Sequence, residues 1–211
     1  MRKGTVVSIK SLNKFFDFFL KNKILIGLTF FLLLGFVVSV LITDNYETTE
    51  KIAEFCFERF LSSKTDKTFL QIAVKSYFSS MLFVLLGFTF GTSVLGTVFI
   101  PFTVMIKGYL YGSIAVTLYS VYSFKGIAFY IVLFLPSALI FIFGFLYALC
   151  ESFDFSVMLL QLTFPQTIPT SINLKFKRFC LKYLIVIFIT LFSALVDAFL
   201  CVNFFHIFSL I

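Results

Sequence analysis

Two ionisable residues stand inside apolar stretches of this chain, and any chemistry would begin with them. Lys107 follows Ser76 to Ile106, a run of 31 residues without charge. Asp197 lies within the last long apolar stretch, 183–205, and Glu151 closes the stretch before it. A charge at the centre of a bilayer-spanning helix costs about 2.5–3.5 kcal/mol, so such groups pair, snorkel or face a polar cavity. With span three starting at 102, Lys107 lies about 8 Å deep and its stem reaches the interface. Asp197 lies about 21 Å from the start of its span, too deep for a short carboxylate to escape. It is then neutral, bonded to a neighbour such as Ser193 at i−4, or turned to a polar cavity. A Lys107–Asp197 ion pair needs a shifted third span, because the two depths differ by about 13 Å. Glu151 completes the set of intramembrane polar candidates.

The motifs of soluble catalysis are missing from the sequence. It has no H-E-x-x-H, no G-x-S-x-G and no phosphate loop. His206 is the sole histidine and has no carboxylate close to it in sequence. A structural zinc site takes four ligands, whereas Cys56, Cys150, Cys180 and Cys201 show no C-x-x-C spacing. They read as small apolar thiols rather than as a disulfide framework. We therefore expect no catalytic residue, no metal and no cofactor.

The elements that position Lys107 and Asp197 follow from composition. Of the 211 residues, 60% are hydrophobic and 13% charged, and the mean hydropathy is +1.06. A water-soluble domain carries about 25% charged residues, and a soluble globule this apolar would expose large apolar patches. The expected fold class is all-α: a polytopic membrane helix bundle with about five transmembrane helices and an N-terminal amphipathic interfacial helix. The spans are expected at 24–42, 77–98, 102–123, 127–149 and 183–205. The chain breaks near Gly96 to Pro101 and turns at Lys125-Gly126. Ile24 to Ile42 is too long for a signal-peptide core and reads as a retained helix. Ahead of it, Ile9, Leu12, Phe16 and Phe19 recur at helical spacing opposite Lys10, Lys14 and Lys21, so residues 1–23 suit an anionic lipid surface. Between spans one and two, 43–76 reads as an external helical loop. Residues 151–182 read as a cytoplasmic segment broken at Pro165 and Pro169.

The net charge of +7 fits topology better than nucleic-acid binding. With five spans and the N-terminus inside, Lys and Arg number ten on the inner side and six on the outer. That bias predicts a multi-pass protein of a bacterial cell membrane, N-terminus cytoplasmic and C-terminus external. Membrane lipid is then a partner and nucleic acid is not. Gly87 and Gly91 form one G-x-x-x-G and Gly108 and Gly112 another, each flattening a helix face for close packing. Packing of spans two and three inside the bundle is the plain reading; an interface with a partner or a second copy of the chain is the sharper one.

The order of these features resembles the stage II sporulation protein M family over nearly the whole chain. The features are Gly87-x-x-x-Gly91, Pro101, Lys107-Gly108-Tyr-Leu-Tyr-Gly112, Leu135-Pro136 and Val196-Asp197-Ala198-Phe199-Leu200. Wider relatives carry a His and a Glu in a Pro-His-Gly type motif after the span-four proline. Here the chain reads Pro136-Ser137-Ala138-Leu139-Ile140, so that motif's role does not carry over, and its absence favours the sporulation branch. The resemblance implies a non-enzymatic scaffold for engulfment in endospore-forming bacteria. It would anchor homologues of the peptidoglycan-degrading stage II sporulation proteins D and P at the septal membrane. The alternative is a small membrane transporter or channel component, motivated by Lys107, Asp197, Glu151 and the break at Gly96 to Pro101.

Overall fold

The computed structural model describes residues 23–43, 68–163 and 172–204. They form five helices: α1 Lys23–Thr43, α2 Phe69–Gly91, α3 Gly96–Phe129, α4 Leu135–Thr163 and α5 Ile172–Phe204. A five-residue π-helical turn, Tyr130–Phe134, joins α3 to α4. No strand occurs among the described residues. The expected amphipathic helix within 1–23 and residues 44–67 of the expected external loop lie outside the described residues, while residues 69–76 of that loop belong to α2.

Each helix forms because its backbone has no other way to satisfy its N–H and C=O groups in an apolar setting. The shortest, α1, has 21 residues, which at 1.5 Å per residue reaches about 32 Å, the thickness of a hydrocarbon core. All five carry a segment long and apolar enough to cross a membrane. Their outer faces are apolar too: Phe124 is 82% exposed, Phe143 73% and Leu70 70%. In water that surface would drive aggregation; against acyl chains it costs nothing.

The helix boundaries differ from the expected spans: α2 starts at Phe69 rather than 77, and the chain reverses at Ser123 rather than at Lys125-Gly126. The break after the second helix falls at Thr92–Leu95, and Gly96 to Pro101 is already helical. Ser156 Oγ on α4 donates to the Ser93 carbonyl at 2.7 Å, holding the exposed backbone of the break. A Cβ at Gly96 would overlap the Phe90 carbonyl oxygen, so the chain can turn this tightly only with glycine there. Pro101 sits in the second turn of α3, where it removes a single helix bond. The segment 151–182 is also largely helical, with α4 running twelve residues past Glu151 to Thr163 and α5 starting at Ile172.

Helices consecutive in the chain alternate in direction. α1 runs parallel to α3, because Leu32 meets Gly108 and Phe36 meets Gly112. α2 runs parallel to α4, because Gly87 meets Leu149 and Gly91 meets Ser152. α5 runs against α4, pairing Tyr183 with Ser152 and Asp197 with Ser137. α3 reverses at Ser123, the only non-glycine residue with positive φ among those described (φ 51°, ψ −130°). Lys23, the break at Thr92–Leu95, Glu151 and Lys182 therefore share one end of the bundle. Ser123 and Lys125 lie at the other. The core between is aromatic and aliphatic, with Phe129, Phe141, Phe145, Leu118 and Leu133 almost fully buried.

Candidate functional site

The two glycine pairs do not face one another. Gly108 and Gly112 take up α1: a Cβ at Gly108 would overlap the Leu32 carbonyl oxygen, and one at Gly112 would sit 2.8 Å from both Phe36 O and Ser39 Cβ. Gly35 answers from α1, where a Cβ would overlap the Met105 carbonyl. Gly87 and Gly91 instead take up α4, with added Cβ atoms 2.5 Å from Leu149 Cδ2 and 2.8 Å from Ser152 Cβ. Close approach of this kind lets van der Waals contact and interhelix hydrogen bonds bind helices without a hydrophobic driving force.

At the Lys23 end the bundle closes with polar and aromatic groups. The Lys182 ammonium donates to Glu151 Oε1 in an ion pair between α5 and α4. The Ser152 and Tyr183 hydroxyls are bonded at 2.5 Å. The Phe179 ring stacks on both Phe88 and Phe155, with centroids 5.3 and 5.0 Å apart. Glu151 is thus a helix-tying residue at the bundle end. Sequence reasoning overlooked Ser152 and Ser156, although their i, i+4 spacing puts both on one helix face.

Lys107 and Asp197 lie within the bundle and are both buried, 6% and 5% exposed. Both line one cavity of about 430 Å³ enclosed by α2, α3, α4 and α5. Because α3 begins at Gly96, Lys107 stands eleven residues into its helix rather than five. That raises it to about 16 Å from the helix start. The two share a level without Gly96 to Pro101 leaving the helix.

Of the expected alternatives, Asp197 lines a cavity, while Lys107 has aromatic partners. The Lys107 ammonium lies 4.2 Å from the centre of the Phe83 ring, 4.9 Å from that of Phe141 and 5.0 Å from that of Tyr111. It neither snorkels nor forms an ion pair with a carboxylate among the described residues. Three aromatic faces hold it by cation–π attraction. Asp197 Oδ1 accepts a hydrogen bond from Ser137 Oγ at 3.2 Å. The i−4 hydroxyl, Ser193 Oγ, donates to the Ser137 backbone carbonyl at 2.7 Å instead. Ser137 is therefore the hub between α4 and α5, with Ser193 supporting it from behind. The π turn and Pro136 interrupt the regular ladder just before this residue. The position where the sequence departs from the wider Pro-His-Gly motif thus lies against Asp197.

Five apolar helices with lipid-suited outer faces define a multi-pass membrane protein. The family model of stage II sporulation protein M matches residues 15–201, and the chain belongs to that family. No curated protein matches the chain, and no solved structure does.

Proposed function

We propose that the protein is a non-enzymatic membrane scaffold for engulfment, anchoring homologues of the peptidoglycan-degrading stage II sporulation proteins D and P at the septal membrane. Membership of the sporulation family over residues 15–201 carries this reading. The close helix crossings support it physically. A bundle whose α1–α3 crossing tolerates no Cβ at Gly35 or Gly108 is a stiff platform, suited to holding partners at fixed spacing. The Lys23 end, with exposed Lys175, Lys177 and Arg178, suits the cytoplasmic face, which favours Lys and Arg. The Ser123 end and the segment joining α1 to α2 would then face the wall.

The test is purification of the tagged chain from sporulating cells, with engulfment scored by membrane staining. Both partners should co-purify, and Gly108→Ile should lower their recovery and arrest engulfment together. Arrest with partner recovery and localisation unchanged would contradict anchoring.

The cavity shared by Lys107 and Asp197 favours a second reading, a small transporter or channel component. Solute flux into vesicles that is lost in Asp197→Asn would support it over the scaffold.

A further inference from the structure

Lys107 is buried, and its ammonium faces the rings of Phe83, Phe141 and Tyr111. The rings steady that charge without neutralising it, and Lys107 forms no ion pair among the described residues. A buried charge without an opposite charge is costly, so this position gains from an anion. The cavity that Lys107 lines, about 430 Å³, falls in the range of small-ligand sites, about 300–1,000 Å³. Its charged lining residues are Lys75, Lys107 and Asp197. Two ammonium groups against one carboxylate leave an excess of one positive charge, however Lys75 and Asp197 are themselves partnered. The α2 wall adds the hydroxyls of Ser76, Ser79 and Ser80. On the same wall Phe78 and Leu82 are 64% and 61% exposed, and in a bilayer they meet acyl chains. The cavity thus leads from hydrocarbon, past hydroxyls, to a buried cation.

The chemistry of a fitting occupant follows from that lining. A zwitterion brings no net charge to set against the excess. A bare inorganic anion leaves the hydroxyls and the apolar mouth unused. An amphiphile with one negative charge and a hydroxyl-bearing headgroup matches the cation, the serines and the mouth together. We propose that the cavity binds the headgroup of a lipid with a single phosphodiester charge and free hydroxyls, of the phosphatidylglycerol class. Its phosphate would meet Lys107, its hydroxyls would exchange hydrogen bonds with Ser76, Ser79 and Ser80, and its acyl chains would leave past Phe78 and Leu82. Asp197 keeps its bond from Ser137 on the α4–α5 side, and its charge is already counted against the two lysines. Serine hydroxyls both donate and accept, so a glycerol headgroup suits this wall better than a choline, which has no donor.

This inference goes beyond the scaffold reading, and its test does not involve engulfment. The wild-type chain, delipidated in detergent, is melted with phosphatidylglycerol, phosphatidylethanolamine or phosphatidylcholine of identical acyl chains, and with soluble glycerophosphoglycerol. Phosphatidylglycerol should raise the melting temperature by several degrees, and the other two lipids by clearly less. Lys107→Met should weaken phosphatidylglycerol binding about tenfold, and Lys107→Arg, which keeps the charge, should weaken it less. Lys175 and Lys177, exposed at the Lys23 end, could attract anionic lipid to the surface instead. The double variant Lys175→Gln, Lys177→Gln should therefore keep the wild-type preference. A shift with the soluble headgroup as well would support the anion site with the chains dispensable; a shift with the lipid alone would support the amphiphile. Equal shifts from all three lipids would overturn the proposal. So would a preference that survives Lys107→Met or is lost in the double variant. Should Lys107→Met fail to fold, the headgroup comparison on the wild-type chain and on the double variant decides.

Discussion

At the residue scale, Ser137 links the two helices that frame the buried carboxylate. Its hydroxyl donates to Asp197 and its carbonyl accepts from Ser193. Interhelix hydrogen bonds inside membrane proteins average about 0.6 kcal/mol and reach about 1.7. Ser137→Ala should therefore cost about 1 kcal/mol in detergent unfolding, and Asp197→Ala more, since it removes the whole carboxyl group that Ser137 meets. A double-mutant cycle should return coupling of about 0.5–1.5 kcal/mol, and strict additivity would mean that the bond contributes nothing. The Glu151–Lys182 pair should behave differently. Its side chains remain 26% and 37% exposed, and partly solvated pairs contribute about 0–1 kcal/mol. Glu151→Gln should cost less than about 1 kcal/mol at low salt. Measured again in high salt, the loss should shrink. The sequence marked Lys107 and Asp197 as misfits in an apolar stretch. It could not show Ser137 as their neighbour, because a serine in an apolar helix is ordinary until a facing carboxylate is known.

At the element scale, glycine spacing showed which faces pack closely but not against what. Gly108 and Gly112 meet α1 and Gly87 and Gly91 meet α4, and a lone G-x-x-x-G says nothing of its partner helix. Gly27 provides an internal control, since a Cβ there meets nothing within 4 Å. Gly27→Ala should be neutral or stabilise by up to about 1 kcal/mol, while Gly108→Ala should destabilise by about 1–3 kcal/mol by forcing α1 from α3. Thermal unfolding of the two variants side by side checks this. The reversal in α3 gives a second prediction. Ser123 holds φ 51° and ψ −130°, a conformation that suits glycine and costs other residues about 1–3 kcal/mol. Ser123→Gly should raise stability by about 1 kcal/mol, and a loss would show that the serine side chain matters there. Helix ends were the least legible part. Hydropathy locates apolar stretches, whereas the break at Thr92–Leu95 depends on Ser156 reaching across from α4. Shifting that break by six residues moved Lys107 to the level of Asp197.

At the scale of the whole molecule, lipid as solvent explains the apolar outer faces, the small residues at crossings and the rarity of internal charge. Fold class and family were legible because both rest on features spread along the chain. The arrangement of the cavity was not, because it depends on the angular setting of four helices. The scaffold reading depends on which end of the bundle faces the wall. Impermeant maleimide labelling of single cysteines in intact cells measures this directly, against the parent chain as background. Lys125→Cys, exposed at the Ser123 end, should label in intact cells, and Lys175→Cys, exposed at the Lys23 end, only after permeabilisation. The reverse pattern, or labelling of both positions from outside, would contradict a bundle that presents its Ser123 end to peptidoglycan-degrading partners.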